Sequence, residues 1–99
     1  MKDLVDFTRD DIIQIGIKRL ISDDLLKEMF EDIMNDLSVQ IKAGKLYSYK
    51  TTSELFSNPY YISKMKNYTQ KEYDEKFRLL LKLKGFYVNE HDKVTYKVV

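Results

Sequence analysis

The chain has 99 residues, of which 43% are hydrophobic, 33% charged and 13% aromatic, and its formal net charge is +1. This length fits one domain, the apolar content argues against a disordered chain, and the near-neutral charge does not select a polyanionic partner. With no cysteine and one histidine, the sequence excludes disulfides, thiolate metal sites and multi-histidine metal clusters.

The N-terminal segment does not resemble a targeting signal. Residues 1–6 carry acids where a secretory signal has a basic stretch followed by an apolar one. No apolar run approaches the roughly 20 residues that span a bilayer. We therefore expect a cytoplasmic protein without a membrane partner.

The first predicted helix begins at Thr8, whose hydroxyl can cap the free backbone amides. Its apolar residues cover more than one narrow face, with Gly16 in the middle. Either this helix lies deep in the core or a partner covers one side. The simplest partner is a second copy, so the sequence predicts a homodimer formed through residues 12–21.

A second, longer helix is predicted from the N-cap signal Ser22-Asp23-Asp24 to Gly44. Its apolar residues recur at spacings of three and four. They are Leu26, Phe30, Ile33, Leu37 and Ile41.

The second half predicts strands on either side of a helix. Residues 45–51 favour a strand, residues 52–56 a short helical piece, and residues 57–68 no single secondary structure. Thr69 and Glu72 form a capping box for a helix that ends at Gly85.

Two further strands, 86–88 and 94–98, are predicted to form a hairpin through residues 89–92. The sequence thus predicts one α+β domain over residues 1–99. Two N-terminal helices, a strand, further helices and a C-terminal β-hairpin form a small antiparallel sheet.

Charge is distributed unevenly along this domain. Residues 1–44 hold six basic and ten acidic side chains, whereas residues 45–99 hold eleven basic and six acidic ones and all eight tyrosines. One interpretation is that the two halves attract each other within the fold and the tyrosines cover its core. The other is that the basic half contacts an anionic partner.

Residues that could support catalysis have simpler structural explanations. His91 lies in a predicted turn beside two acids, and the pairs Asp10-Asp11 and Asp23-Asp24 lie at helix starts, where the helix dipole favours acids. The three glycines are too far apart to form a phosphate-binding loop. We expect no enzymatic activity, no cofactor and no metal site.

Basic residues are concentrated in the last helix and hairpin, and this region resembles a winged-helix domain. The resemblance covers residues 51–99 and implies that the helix before the wing enters the major groove of DNA. The apolar segment 58–61 and the acidic first half depart from the winged-helix pattern. The residues that would face nucleic acid are Lys71, Lys76, Arg78, Lys82, Lys84 and Lys93.

A second resemblance covers residues 37–99. A helix ending at Gly44, a strand with Tyr47 and Tyr49, a helix ending at Gly85 and a hairpin ending on valines are similar to small phage- or prophage-encoded α+β accessory proteins of low-GC bacteria. This resemblance implies a protein that acts by binding, often on a host factor.

The leading prediction is a non-enzymatic accessory protein that binds and modulates or inhibits a host protein. Tyrosine, phenylalanine and methionine are enriched in interface cores. Four such residues cluster in the least regular segment, namely Phe56, Tyr60, Tyr61 and Met65. They either bind the partner or fill the core beneath a loop. The alternative function is that of a winged-helix-like DNA-binding protein or transcriptional regulator.

Overall fold

The structure is a computed structural model that describes residues 8–96. The helices in this range are α1 (Arg9–Leu20), α2 (Asp24–Lys42), α3 (Thr52–Ser57), α4 (Pro59–Ile62) and α5 (Gln70–Leu83). The strands are β1 (Tyr47–Thr51), β2 (Phe86–Val88) and β3 (Lys93–Tyr96). The predicted α+β class is confirmed. The predictions for residues 1–6 and for the end of the last strand at Val98 lie outside the described residues.

Side-chain caps define the starts of the helices, because the first amides of a helix have no partner within it. The Thr8 hydroxyl accepts the Asp11 amide at 3.2 Å, and the Asp11 carboxylate accepts the Thr8 amide at 3.0 Å. Asp23 accepts two backbone amides at the start of α2, and Thr69 and Glu72 cap α5 reciprocally. The predicted caps are therefore confirmed.

Two short helices occupy the segment that follows β1. Thr51 and Glu54 form a further capping box at the start of α3. Asn58 caps α4 by accepting the Tyr60 amide at 3.0 Å. Pro59 is the first residue of α4, where its missing N–H costs nothing. The sequence pattern predicted no single secondary structure for residues 57–68. The Asn58 cap and Pro59 explain why part of this segment, α4, is helical.

The three strands form an antiparallel sheet in the order β1-β3-β2. Thr95 of β3 pairs with Tyr47 on one side and with Tyr87 on the other. The register between β1 and β3 shifts between Tyr47 and Thr51, which marks a β-bulge.

One face of this sheet packs against α2 and α5. The residues with no more than 1% of their surface exposed include Met29 and Ile33 on α2, Phe77 on α5 and Val94 on β3. Phe56 of α3 packs edge-to-face against Phe77, with ring centroids 5.5 Å apart. The core thus lies between the two longer helices and the sheet.

Helix α1 lies outside this core and packs mainly on α5. A Cβ built on Gly16 would lie 3.2 Å from Cδ1 of Leu83. Gly16 therefore marks a close approach of α1 to α5.

Candidate functional site

The acidic and basic halves of the chain meet along α2. Glu28, Asp32 and Asp36 are spaced by four residues and so lie on one side of the helix; we call them the acidic stripe. Each accepts hydrogen bonds from residues of the second half. This arrangement agrees with the interpretation that the two halves attract each other within one fold.

The first two carboxylates of the acidic stripe bind tyrosines and lysines. Glu28 accepts the Tyr60 hydroxyl at 2.6 Å and the Lys64 ammonium at 3.4 Å. Asp32 accepts the Tyr61 hydroxyl at 2.6 Å, and its other oxygen lies 2.9 Å from Nζ of Lys50.

Ionisation of these groups follows from the same contacts. Burial raises the pKa of Asp32, but hydrogen bonds from Tyr61 and Lys50 outweigh it and hold that pKa below its usual value. Burial and the hydrogen bond to Asp32 together raise the pKa of Tyr61 well above its ordinary range. At neutral pH the carboxylate is thus charged and the phenol is a donor.

The third carboxylate of the acidic stripe, Asp36, caps the β-bulge. One of its oxygens accepts the backbone amides of Tyr49 at 2.7 Å and Lys50 at 2.8 Å. The hydroxyl of Ser48, which is fully buried, accepts the Val94 amide at 2.9 Å and donates to the Lys50 carbonyl at 2.7 Å. Side chains therefore replace the regular ladder where the bulge interrupts it.

Asp92 connects the hairpin turn to α3 and α5. Its carboxylate accepts the hydroxyls of Thr52 and Ser53, and the Ser53 amide at 2.8 Å. Nη2 of Arg78 lies 3.3 Å from the same carboxylate. Burial alone would raise the pKa of Asp92. These hydrogen bonds have the larger effect and hold that pKa below its usual value. Asp92 has a backbone φ of 62°, a conformation that aspartate tolerates better than most residues.

The structure divides the four residues predicted to bind a protein. Phe56 and Tyr61 lie in the core, and Met65 is half-buried against it. Tyr60 is 50% exposed, with the Lys64 ammonium 4.1 Å from its ring centroid. Phe56 thus holds α3 against α5, Tyr60 and Tyr61 hold α4 against α2, and Tyr60 alone of the four presents a large exposed surface.

The basic residues of α5 do not form an uninterrupted positive surface. Lys71, Arg78 and Lys82 share one exposed side of the helix by their spacing, but Glu75 lies among them. Arg78 also pairs with Asp74, with Nε 3.0 Å from the carboxylate.

The other predicted nucleic-acid residues each lie against an aromatic ring. The ammonium of Lys76 is 4.5 Å from the Tyr68 ring centroid, and that of Lys84 is 5.2 Å from the Phe30 centroid. Lys93 lies on the sheet, 5.1 Å from the Tyr47 centroid. The structure therefore does not bring the six predicted residues together on one surface.

The candidate catalytic residues have structural surroundings. His91 is highly exposed in the turn, and Nε2 lies 3.5 Å from Glu90. Asp11 and Asp23 cap helices. Within residues 8–96, no group of three or more His, Cys, Asp or Glu residues is placed to hold a metal ion.

Helices α1 and α5 each expose large apolar side chains. Ile12 is 62% exposed, Ile15 is 53% exposed, and Leu79 of α5 is 47% exposed. Leu79 lines a groove of about 270 Å³ together with Gly16, Leu20 and Leu83, among others; we call it the α1–α5 groove. The sequence predicted an apolar surface on α1. It did not reveal the contribution of α5, although Leu79 and Leu83 lie four residues apart, beside the main apolar face of that helix.

None of the helices within residues 8–96 has both the length and the apolar character to cross a membrane. No family model matches the chain, and comparisons with curated proteins and with solved structures find no match.

Proposed function

We propose that this protein is a non-enzymatic interaction module that binds and modulates another protein through the α1–α5 groove. The observation that carries the proposal is the poor burial of α1. Of its five isoleucine and leucine side chains, only that of Ile17 is buried, and two are more than half exposed. Clustered exposed apolar side chains are typical of interaction surfaces.

The shape of the groove favours a helical segment of the partner. Two helices flank it, as in complexes where an amphipathic helix lays its apolar face between helices. Arg19, Asp23 and Lys76 line the same groove and supply charges of both signs. An apolar core with a charged rim is the usual anatomy of an interface.

Two occupants fit this chemistry. The resemblance to phage-encoded accessory proteins would make the occupant a host protein, and the exposed face of α1 would also accept a second copy. The nucleic-acid alternative on α5 has less support, because Glu75 and Asp74 lie among its basic residues.

The test uses two matched surface variants, Leu79→Glu in the groove and Val39→Glu on α2, where Val39 is 60% exposed. Both introduce a good helix former at an exposed site. We expect a protein from a lysate of a low-GC bacterium to be retained by the wild-type chain and by Val39→Glu. Its retention by Leu79→Glu should fall by about tenfold or more, as for a central interface residue.

Light scattering of the same three proteins identifies the occupant. A monomeric wild type agrees with a different protein as partner. A dimer that Leu79→Glu converts to monomer identifies a second copy. If the wild type is monomeric and retains no protein, or if both variants lose binding equally, the groove is not the docking surface.

A further inference from the structure

The face of the sheet that points away from α2 and α5 is lined by tyrosines. Tyr47 and Tyr87 both pair with Thr95, and directly paired residues of antiparallel strands project to the same face. Tyr49 lies beside them, because its ring and that of Tyr47 flank the same lysine. Tyr47 is 41% exposed, Tyr49 is 69% exposed and Tyr87 is 49% exposed.

Lys93 supplies a positive charge beside two of these tyrosines. Its ammonium is 5.1 Å from the Tyr47 ring centroid and 5.8 Å from the Tyr49 centroid. Lys50 and Lys64 form ion pairs with the acidic stripe, whereas no carboxylate among residues 8–96 lies within ion-pair distance of Lys93. Among the described residues, the ammonium thus lies against aromatic rings and has no acid partner.

We infer that this tyrosine face, comprising Tyr47, Tyr49, Tyr87 and Lys93, binds single-stranded nucleic acid. Exposed rings on a rigid sheet can stack against unpaired bases, and an ammonium between them can contact the phosphate that joins two bases. A duplex does not offer its base faces for stacking. The ligand is thus a single strand, and the surface is separate from both α5 and the α1–α5 groove.

A direct binding measurement tests this inference. A fluorescent single-stranded oligonucleotide of about 12 nucleotides is titrated with the full chain at low salt, beside the same sequence as a duplex. We expect the single strand to bind more tightly. Tyr49→Ala and Tyr87→Ala should each weaken binding by about five- to one-hundred-fold, and Tyr49→Phe should retain it because the ring remains.

Matched controls separate this surface from the rest of the molecule. Tyr60→Ala removes a tyrosine of the same exposure as Tyr87 from α4 and should leave binding unchanged. Lys93→Gln should reduce the salt dependence of log K by about 0.7 per lost phosphate contact. Lys82→Gln, which removes an exposed lysine of α5, should not.

Several results would overturn the inference. The first is that the single strand does not bind at low salt. The second is that the duplex binds more tightly and that Lys82→Gln weakens binding as much as Lys93→Gln does. The third is that loss of the tyrosine rings leaves the affinity unchanged. Equal competition by a polyglutamate peptide would likewise show that an acidic protein, and not a stacked base, is the ligand. Circular dichroism of each variant confirms that a loss of binding occurs in a folded protein.

Discussion

Helices α1 and α2 are both rich in isoleucine and leucine, but the rest of the protein holds them very differently. Five residues of α2 are buried, and its acidic stripe binds β1 and α4. Helix α1 buries only Ile17 and packs mainly on α5. The difference shows that apolar content alone does not make a helix part of the core. Burial depends on how many neighbours the fold places around it.

The largest expected difference between the two helices comes from shortening one isoleucine in each. Ile33→Ala removes a fully buried side chain of α2 and should reduce the free energy of unfolding by about 2–5 kcal/mol. Ile15→Ala removes a side chain that is 53% exposed and should change it by less than about 0.5 kcal/mol. Urea denaturation measures both. An equal loss in the two variants would show that α1 is as much a part of the core as α2.

Acid should weaken the hydrogen bonds that Asp23, Asp32 and Asp92 accept in the folded protein. Asp23, Asp32 and Asp92 each have a pKa below the usual value in the folded protein, since hydrogen bonds outweigh the effect of burial. Groups of this kind stabilise the fold above their unfolded pKa of about 3.9, and that contribution is lost as the pH falls through the folded pKa.

We therefore expect a constant melting temperature from about pH 7 to pH 5 and a progressive fall below about pH 4. Thermal melts followed by circular dichroism measure this dependence. Asp32→Asn should lower the melting temperature at neutral pH and make the acid dependence shallower. An unchanged slope in Asp32→Asn would show that its hydrogen bonds contribute little to stability.

The smallest effect is expected at the contact between α1 and α5. Gly16→Ala gains about 0.8–1 kcal/mol of helix propensity, while the new methyl group would lie 3.2 Å from the end of the Leu83 side chain. Leu83 is half-buried and borders an open groove, so it can shift by a few tenths of an ångström. We expect a net stabilisation of less than about 1 kcal/mol, measured by urea denaturation. A destabilised variant would mean that the α1–α5 contact is rigid.

The parts of the fold that the sequence predicted depend on local interactions. Thr8, Asp23 and Thr69 cap helices within three residues of themselves, so short motifs reveal them. Two further caps are equally local but were not among the predicted ones. They are the capping box of Thr51 and Glu54 and the Asn58-Pro59 start of α4.

The remaining features depend on contacts between distant parts of the chain. Asp92 meets Thr52 across 40 residues and Asp36 meets Tyr49 across 13, and no periodicity encodes such pairings. The tyrosine face forms only when β3 inserts between β1 and β2, which the predicted hairpin alone did not specify. Candidate surfaces were thus harder to predict than helices.

The cap that Asp36 provides also affects how this protein behaves at high concentration. Strand β1 is an edge of the sheet, and the outward amides of edge strands readily pair with strands of other molecules. Two backbone amides of this strand, those of Tyr49 and Lys50, already donate to Asp36 at the bulge. A strand of a neighbouring molecule would have to displace this carboxylate before it could pair with these two amides. A single aspartate on a helix thereby keeps two amides of a tyrosine-rich edge strand from pairing with another molecule.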